Sequence, residues 1–552
     1  MENTNKLFNC WLNSPKISQT IKEEYKNKTQ EEIDHIFDEN YRFKFGTSGV
    51  RCIYQEGARY LNVITYTQLA LGFIKYLETK KSPNKIIVIG RDNRFGSREN
   101  LKLIAEIFSS FDYTVYVNED YGMLSTPITS FLVNELQASA GIMITASHNP
   151  KNYNGFKVYN ANGAQPLVDD TNTIESLMPS YIEALNFSFE PKQDSIKFLT
   201  QQHLQTYFDA VKAQLIHTNL NTKKPFKVVF SGHHGTTTND MIPFLESLGY
   251  DMVSVKEQNF EDPNFSDDPS SNPEEQRSFD LSIEYADNAN ADVMIASDPD
   301  GDRMAIAVRH QNYWKFLTGN QTGVLIAHYL LHHKKFTKPP YIISTFISTR
   351  YPELFAKDFN CDVLYVDVGF KNHGNLVANR KKTQDLVVGF EEAIGSLSSD
   401  INNDKDSYQA ASILLEMVNY YHEQNLDLFT VLKKEIFAKY GNWYSKTAQF
   451  VIDGENWKQK ALAILNNLKN FEFKTITQYT IQNIIFHEQG SYLEWKLDEY
   501  STIKFRLSGT EPKFKVYIDL YDFTKDQNRD FYQELKVKVE DILDFLKNYL
   551  DL

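Results

Sequence analysis

Three carboxylates at alternate positions, Asp298, Asp300 and Asp302, stand in the segment Asp298-Pro299-Asp300-Gly301-Asp302-Arg303, directly after the apolar run Val293-Met294-Ile295-Ala296. Carboxylates so spaced in a loop can converge on one hard cation, and Mg²⁺ takes such oxygen ligands while keeping positions for water or phosphate. The same residues would also suit an acidic solvated turn. An EF-hand loop fits badly, because it wants Gly where Arg303 stands and Glu where Arg309 stands. Arg303 could brace the carboxylates or bind a phosphate.

A second segment, Thr145-Ala146-Ser147-His148-Asn149-Pro150, follows another apolar run ending in Ile142-Met143-Ile144. Ser147 there could act as a nucleophile, provided a base or a metal activates its hydroxyl. Taken alone, the hexapeptide reads first as a Ser/Asn/Pro turn without chemistry, and His148 as an ordinary loop histidine. In the third, Arg506-Leu507-Ser508-Gly509-Thr510-Glu511-Pro512-Lys513, cationic side chains bracket two hydroxyls and a glycine. Such a loop can surround a phosphate dianion with side chains and backbone N–H groups, or be a charged hairpin turn. Two weaker segments are Gly389-Phe390-Glu391-Glu392-Ala393-Ile394-Gly395, which could offer a carboxylate to sugar hydroxyls, and Gly46-Thr47-Ser48-Gly49-Val50-Arg51, which could bring a guanidinium to a phosphate.

The elements that must position these loops alternate. A charged amphipathic helix is expected over 17–37, a helix over 63–77, a buried strand over 85–90, a helix over 98–110, a strand over 114–117, a helix after Pro127 and a strand ending at Thr145. Strand 227–230 with a helix through Leu248, and strand 292–296 with the acidic loop, repeat the rhythm. A third stretch holds a helix over 323–332 and strands at 341–344, 363–366 and 386–388. From about Asn442 strands at 446–452, 492–497 and 502–507 and two amphipathic helices read as a separate α+β domain. The expected fold is therefore three consecutive α/β domains with mixed, mostly parallel sheets, then the α+β domain, with boundaries at 1–200, 201–316, 317–440 and 441–552. In parallel sheets ligands gather at the strand ends, where the serine and aspartate loops fall.

Length agrees, since 552 residues exceed what one core usually serves. With 58 basic against 72 acidic side chains the net charge is −14, which disfavours nucleic-acid and anionic-membrane partners but leaves a small anionic substrate in a locally basic pocket. No apolar run reaches the roughly 18 residues of a membrane helix. The charged start without a signal pattern implies a cytoplasmic protein. Cys10, Cys52 and Cys361 lack metal or disulfide spacing.

Together and in this order, the segments resemble the α-D-phosphohexomutase superfamily of phosphoglucomutases and phosphomannomutases. Five stretches carry the likeness: 46–51, the serine loop with Asn154-Gly155-Phe156-Lys157, the aspartate loop, 389–395 and 506–513. Asp262-Pro263-Asn264-Phe265, Asn272-Pro273-Glu274 and Asp404-Lys405-Asp406 are similar to the longer phosphoglucomutase/phosphopentomutase branch. The resemblance implies four domains around a central cleft and a phosphoserine at Ser147. It also implies Mg²⁺ on Ser147, Asp298, Asp300 and Asp302, with Arg51, Lys157 and His148 in catalysis. Arg303, Lys371 and Glu391 would contact substrate, and Arg506, Ser508, Gly509, Thr510 and Lys513 would hold the phosphate that is not reacting. The implied reaction interconverts hexose 1- and 6-phosphates, glucose ahead of mannose, with a sugar 1,6-bisphosphate as activator and intermediate and a small phosphosugar, not a nucleic acid or a membrane, as partner.

Ala393 replaces a serine found in many relatives, and Gly395 a histidine found in some bacterial ones. His373 lies near the expected sugar-reading lysine, where it reads first as an ordinary loop histidine and second as a residue that could alter selectivity. Competing readings are a pentose-phosphate mutase, a sugar-bisphosphate synthase, a non-catalytic phosphosugar binder, and a D-x-D-x-T phosphatase, which would want threonine or valine at Asp302.

Overall fold

The computed structural model describes residues 5–82, 84–218, 226–452, 454, 456–488, 492–507, 513–526 and 528–550. They form two compact units, one of residues 1–307, 370–380 and 399–416, the other of residues 308–369, 381–398 and 417–552.

In the first unit, Ile86–Arg91 pairs in parallel with Thr114–Val117 and with Ala140–Ile144. Ile196–Phe198 extends the parallel set beyond Thr114–Val117. On the other side, Tyr153–Asn160 runs antiparallel to Ala140–Ile144, and Val50–Ile53 runs antiparallel to Tyr153–Asn160. This six-stranded sheet is therefore mixed. Ile87, Val88, Ile89, Ile142 and Ile144 are fully buried, each stabilising by about 1.5–3 kcal/mol relative to exposure. Burial on both faces explains why these strands read as continuous apolar runs rather than alternating ones.

Helix Val63–Lys80 starts where the Asn62 side chain accepts from the N–H groups of Ile64 and Thr65, and it stops at left-handed Lys81. Helix Ser97–Ser110 packs on the same sheet. Helix Thr126–Glu135 opens with the Ser125 cap and Pro127 in its first turn, where a missing N–H costs nothing. A second sheet in this unit sets Lys227–Ser231 in parallel between Asp251–Ser254 and Val293–Ser297.

The long helix expected over 17–37 is two helices, Gln19–Lys26 and Gln30–Ile36. Thr29 breaks it by forming a reciprocal capping box with Glu32, so the polar side chain starts a new helix rather than continuing the old one.

In the second unit, Pro340–Thr345 pairs in parallel with Asp362–Val366 and Asp385–Phe390, while Ser396–Leu397 closes the edge antiparallel. The C-terminal sheet is antiparallel throughout, in the order Asn442–Val451, Lys513–Asp522, Thr502–Leu507, Tyr492–Lys496, Asn483–His487. Helices Trp457–Lys469 and Phe531–Leu550 cover it around buried Trp495, Phe505, Val516 and Leu543. The strands and the two helices expected after Asn442 are thus present, along with Asn483–His487 and Lys513–Asp522 in the same sheet and the short pair Thr475–Ile476 and Tyr479–Thr480, which the pattern did not reveal.

Candidate active site

Ala140–Ile144 ends in the serine loop and Val293–Ser297 ends in the aspartate loop, so both reactive segments leave carboxyl ends of parallel-paired strands. Ser147 sits in the left-handed region with φ 51°, a conformation costing a non-glycine residue about 1–2 kcal/mol. Its N–H donates to Thr145 Oγ1 at 2.7 Å, and its hydroxyl donates to Asp298 Oδ2 at 2.8 Å. His148 Nδ1 lies 3.2 Å from the same hydroxyl. Desolvation within the site, then the Arg303 and Arg51 guanidiniums, holds that imidazole well below its ordinary pKa, hence neutral.

The tight turn of the aspartate loop relies on Gly301 at φ 71°. Asp298 Oδ1 accepts from the N–H groups of Asp302 and Arg303 at 3.1 and 3.0 Å, which turns Oδ2 toward Ser147. Asp300 Oδ2 accepts from Lys157 Nζ at 2.8 Å and from Thr126 Oγ1 at 2.8 Å. Asp302 Oδ2 lies 3.1 Å from Lys157 Nζ and 3.1 Å from Lys405 Nζ. Arg303 Nε stands 3.9 Å from both Asp298 Oδ2 and Asp302 Oδ1.

Burial, followed by the charges of Asp300 and Asp302, pushes the Asp298 carboxyl well above the usual carboxylate range. Burial alone would also raise Asp300, but the Lys157 ammonium overrides it and holds that carboxyl far below its ordinary value. For Lys157, burial favours the neutral amine, yet Asp300, Tyr159 and Asp302 carry its pKa well above normal.

The three aspartates are all buried, and one ligand oxygen from each lies within 4.8 Å of the others. Asp300 Oδ1 and Asp302 Oδ1 are buried without a hydrogen-bond partner, an expensive state for carboxylate oxygens. An all-oxygen donor set with two orphaned lone-pair groups fits a hard divalent cation.

Of the other expected site residues, Arg51 donates to Asn149 Oδ1 at 2.8 Å and so borders the serine loop. Lys371 Nζ lies 3.4 Å from the Gly46 carbonyl and lines a small cavity with Thr47, Gly49 and Gln165. Glu391, in the second unit, accepts the Gly369 N–H at 2.9 Å. Arg506 lies on strand Thr502–Leu507, and Lys513 begins the next. Ser508, Gly509 and Thr510 lie outside the described residues. Thr126 and Lys405, which contact the acidic cluster directly, carried no role in the sequence reading. The only signal for Lys405 was its place between Asp404 and Asp406, and for Thr126 there was none.

The chain matches the phosphoglucomutase/phosphomannomutase α/β/α domain I over residues 42–184, domain II over 205–311 and domain III over 318–436. It is 40% identical over 519 residues to a phosphomannomutase of Mycoplasmoides pirum, covering 94% of this chain and 95% of that protein. A Mycoplasma genitalium phosphomannomutase is 37% identical, with 98% of each chain covered. A Staphylococcus haemolyticus phosphoglucomutase is 32% identical, covering 88% and 92%. The Paramecium phosphoglucomutase pp63/parafusin in its open form shares the fold at TM-score 0.68 and 17% identity, covering 91% of this chain and 94% of that one. A phosphoglucomutase/phosphomannomutase family protein from Burkholderia thailandensis does so at TM-score 0.64 and 17% identity, covering 91% and 97%.

Proposed function

Because this chain belongs to the α-D-phosphohexomutase superfamily and is a phosphotransferase mutase, we propose that it interconverts hexose 1-phosphate and hexose 6-phosphate, glucose first and mannose as well, through a phosphoserine at Ser147. The observation that carries this reading is the 2.8 Å contact of the Ser147 hydroxyl with Asp298 Oδ2, inside a buried carboxylate triad. A pure phosphosugar binder has no use for a hydroxyl held against such a cluster.

Phosphoryl transfer asks a protein for alignment and charge neutralisation. Phospho-Ser147 gives its phosphoryl to the free hydroxyl of a sugar monophosphate; the resulting bisphosphate turns around and returns the other phosphoryl to the serine. When bound by Asp298, Asp300 and Asp302, Mg²⁺ supplies Lewis-acid neutralisation of phosphoryl oxygens. Lys157, charged because of Asp300, offers an ammonium to the same region, and Arg51 adds a guanidinium. The neutral His148 ring stands where it can take the serine proton. Substrate roles for Arg303, Lys371, Glu391, Arg506, Ser508, Gly509, Thr510 and Lys513 rest on the family likeness, as does the sugar 1,6-bisphosphate activator, while the domain limits near 200, 316 and 440 rest on the sequence pattern. Among the described residues no helix is long and apolar enough to cross a membrane.

The test is a panel of glucose, mannose, ribose and deoxyribose 1-phosphates with Mg²⁺ and a trace of hexose 1,6-bisphosphate. Glucose and mannose phosphates should isomerise. Turnover of none of the four would overturn the mutase reading, and turnover of the pentoses alone would move it to a pentose-phosphate mutase. The mannose activity draws support from the phosphomannomutase names of the relatives at 40% and 37% identity.

A further inference from the structure

Arg94 lies in the loop after Ile86–Arg91, two strands away in sequence from the serine loop, and its side chain is wholly buried. Its guanidinium donates to four carbonyl oxygens of that loop and of the first residue of the strand after it: Nη2 to Ser147 at 2.6 Å and Asn149 at 2.5 Å, Nη1 to Pro150 at 2.8 Å and Tyr153 at 2.9 Å. Nε is held by Asp92 Oδ2 at 3.2 Å, and Asp92 Oδ1 in turn accepts from the Arg94 N–H and from Ser97 Oγ, both at 3.1 Å. The Phe265 ring caps the guanidinium at 5.3 Å. Asn93, next door, donates to the Asp262 carbonyl at 2.6 Å, so the loop carrying Phe265 is itself tied to the Arg94 loop.

We infer that Arg94 is the positioning residue of the phosphoryl carrier: it gathers the carbonyl of Ser147 and those of Asn149, Pro150 and Tyr153 after it into one fork and so keeps the serine in its left-handed conformation, with Oγ aimed at the aspartate loop. The planar five-donor guanidinium is required because four convergent acceptors exceed the three N–H groups of an ammonium, which also cannot lie flat beneath them. Buried carbonyls that lost these donors would pull the loop toward water or toward other donors. The left-handed serine, strained for a residue with a Cβ, would then be held locally by the bond of its N–H to Thr145 Oγ1 and would relax more readily. The Phe265 cap keeps water from competing for the guanidinium, which links the loop at 262–265 to the precision of the serine.

This inference rests on Ser147 as the carrier, and it concerns how well the phosphoryl group is aimed. A mis-aimed phosphoserine meets water as well as sugar. In that leak a water oxygen forms the new bond to phosphorus, the P–Oγ bond breaks, Oγ regains a proton and inorganic phosphate leaves.

The experiment compares Arg94→Lys with Arg91→Lys in the full chain. Arg91 is an equally buried arginine that ends the preceding strand, and it bonds to the Tyr121 carbonyl, the Asp92 carbonyl and Glu261 instead. Measured are kcat, KM, melting temperature, and phosphate released per isomerisation. For Arg94→Lys we expect kcat about 10²-fold lower, KM within about threefold and phosphate release per turnover raised at least about tenfold, the scale of a misplacement near 1 Å. Arg91→Lys should lower the melting temperature without moving the release ratio. Should Arg94→Lys not fold, Phe265→Leu, which uncovers the guanidinium but keeps it, should raise the release ratio severalfold. An unchanged release ratio in the folded variant, or an equal rise in Arg91→Lys, overturns the inference. A wild-type chain that takes no phosphoryl group from hexose 1,6-bisphosphate would instead overturn the function on which it rests.

Discussion

Lys157 Nζ and Asp300 Oδ2 meet at 2.8 Å with both side chains shut away from solvent, and the lysine reaches Asp302 as well at 3.1 Å. The antiparallel register that pairs Met143 with Lys157 places this ammonium one strand away from the serine loop. A buried pair is a modest source of stability when intact, but removal of one partner leaves a charge without compensation. Lys157→Met should therefore cost about 3–5 kcal/mol in urea unfolding, and adding Asp300→Asn should recover much of that loss. A single variant within 1 kcal/mol of wild type, or a double variant worse than the single one, would refute this account of the site's electrostatics.

Ser147→Ala removes the hydroxyl and leaves the left-handed backbone in place. Mutase activity should fall by about 10⁴-fold or more, as for other catalytic nucleophiles. Intact-mass measurement after incubation with hexose 1,6-bisphosphate should show one phosphoryl group on wild type and none on the variant. Phosphorylation of the alanine variant to the same extent would move the carrier to another residue.

How much of this was legible without coordinates follows from the physics of each element. Doubly buried strands such as Ala140–Ile144 and Val293–Ser297 announce themselves as short apolar runs between polar loops, and the nucleophile and metal-ligand candidates stand at their ends. Tyr153–Asn160 was harder, since its buried Asn154 and Lys157 break the apolar run; those polar groups are tolerable only because Ser97, Asp300 and Asp302 meet them in three dimensions. Arg94, Thr126 and Lys405 were illegible for the same reason. Each reaches the site through a partner 53 or more positions away, Ser147 for Arg94, Asp300 for Thr126 and Asp302 for Lys405, and nothing in a local window distinguishes such a residue from a surface one. The break at Thr29, by contrast, was readable in principle, because Thr29 and Glu32 spell a capping box.

Gly235 gives a test of how closely the aspartate loop is packed. A Cβ added there would lie 2.3 Å from both Cα and the carbonyl oxygen of Pro299, backbone atoms that cannot step aside without moving Asp298 and Asp300. Gly235→Ala should therefore lower stability by about 1–3 kcal/mol. It should also cut kcat by about 10²-fold, since the ligand geometry shifts with the loop. Wild-type activity in a folded Gly235→Ala protein would mean that the Asp298–Asp302 turn need not hold this position.

His328 makes the acid side of the stability profile predictable. It sits on helix Gly319–His333 with its ring 4.0 Å from that of His332, 5.6 Å from Phe355 and 6.2 Å from Tyr440. Burial first, then the nearby His332, Lys439 and His333, pushes its pKa down to about 3. The folded form thus binds the proton less tightly than the unfolded chain, whose histidines titrate near about 6.5. Stability from the neutral ring is fully present above the unfolded value and is lost as pH falls from about 6.5 toward about 3, where the unfolded state holds more protons. His328→Leu removes that term at the price of a constant packing offset. The difference in unfolding free energy between wild type and variant should therefore shrink by about 3 kcal/mol between pH 7 and pH 4, in the variant's favour. Urea midpoints measured in parallel across that range decide the matter, and two curves that stay parallel would show that the ring accepts its proton in the folded protein as readily as in the unfolded one.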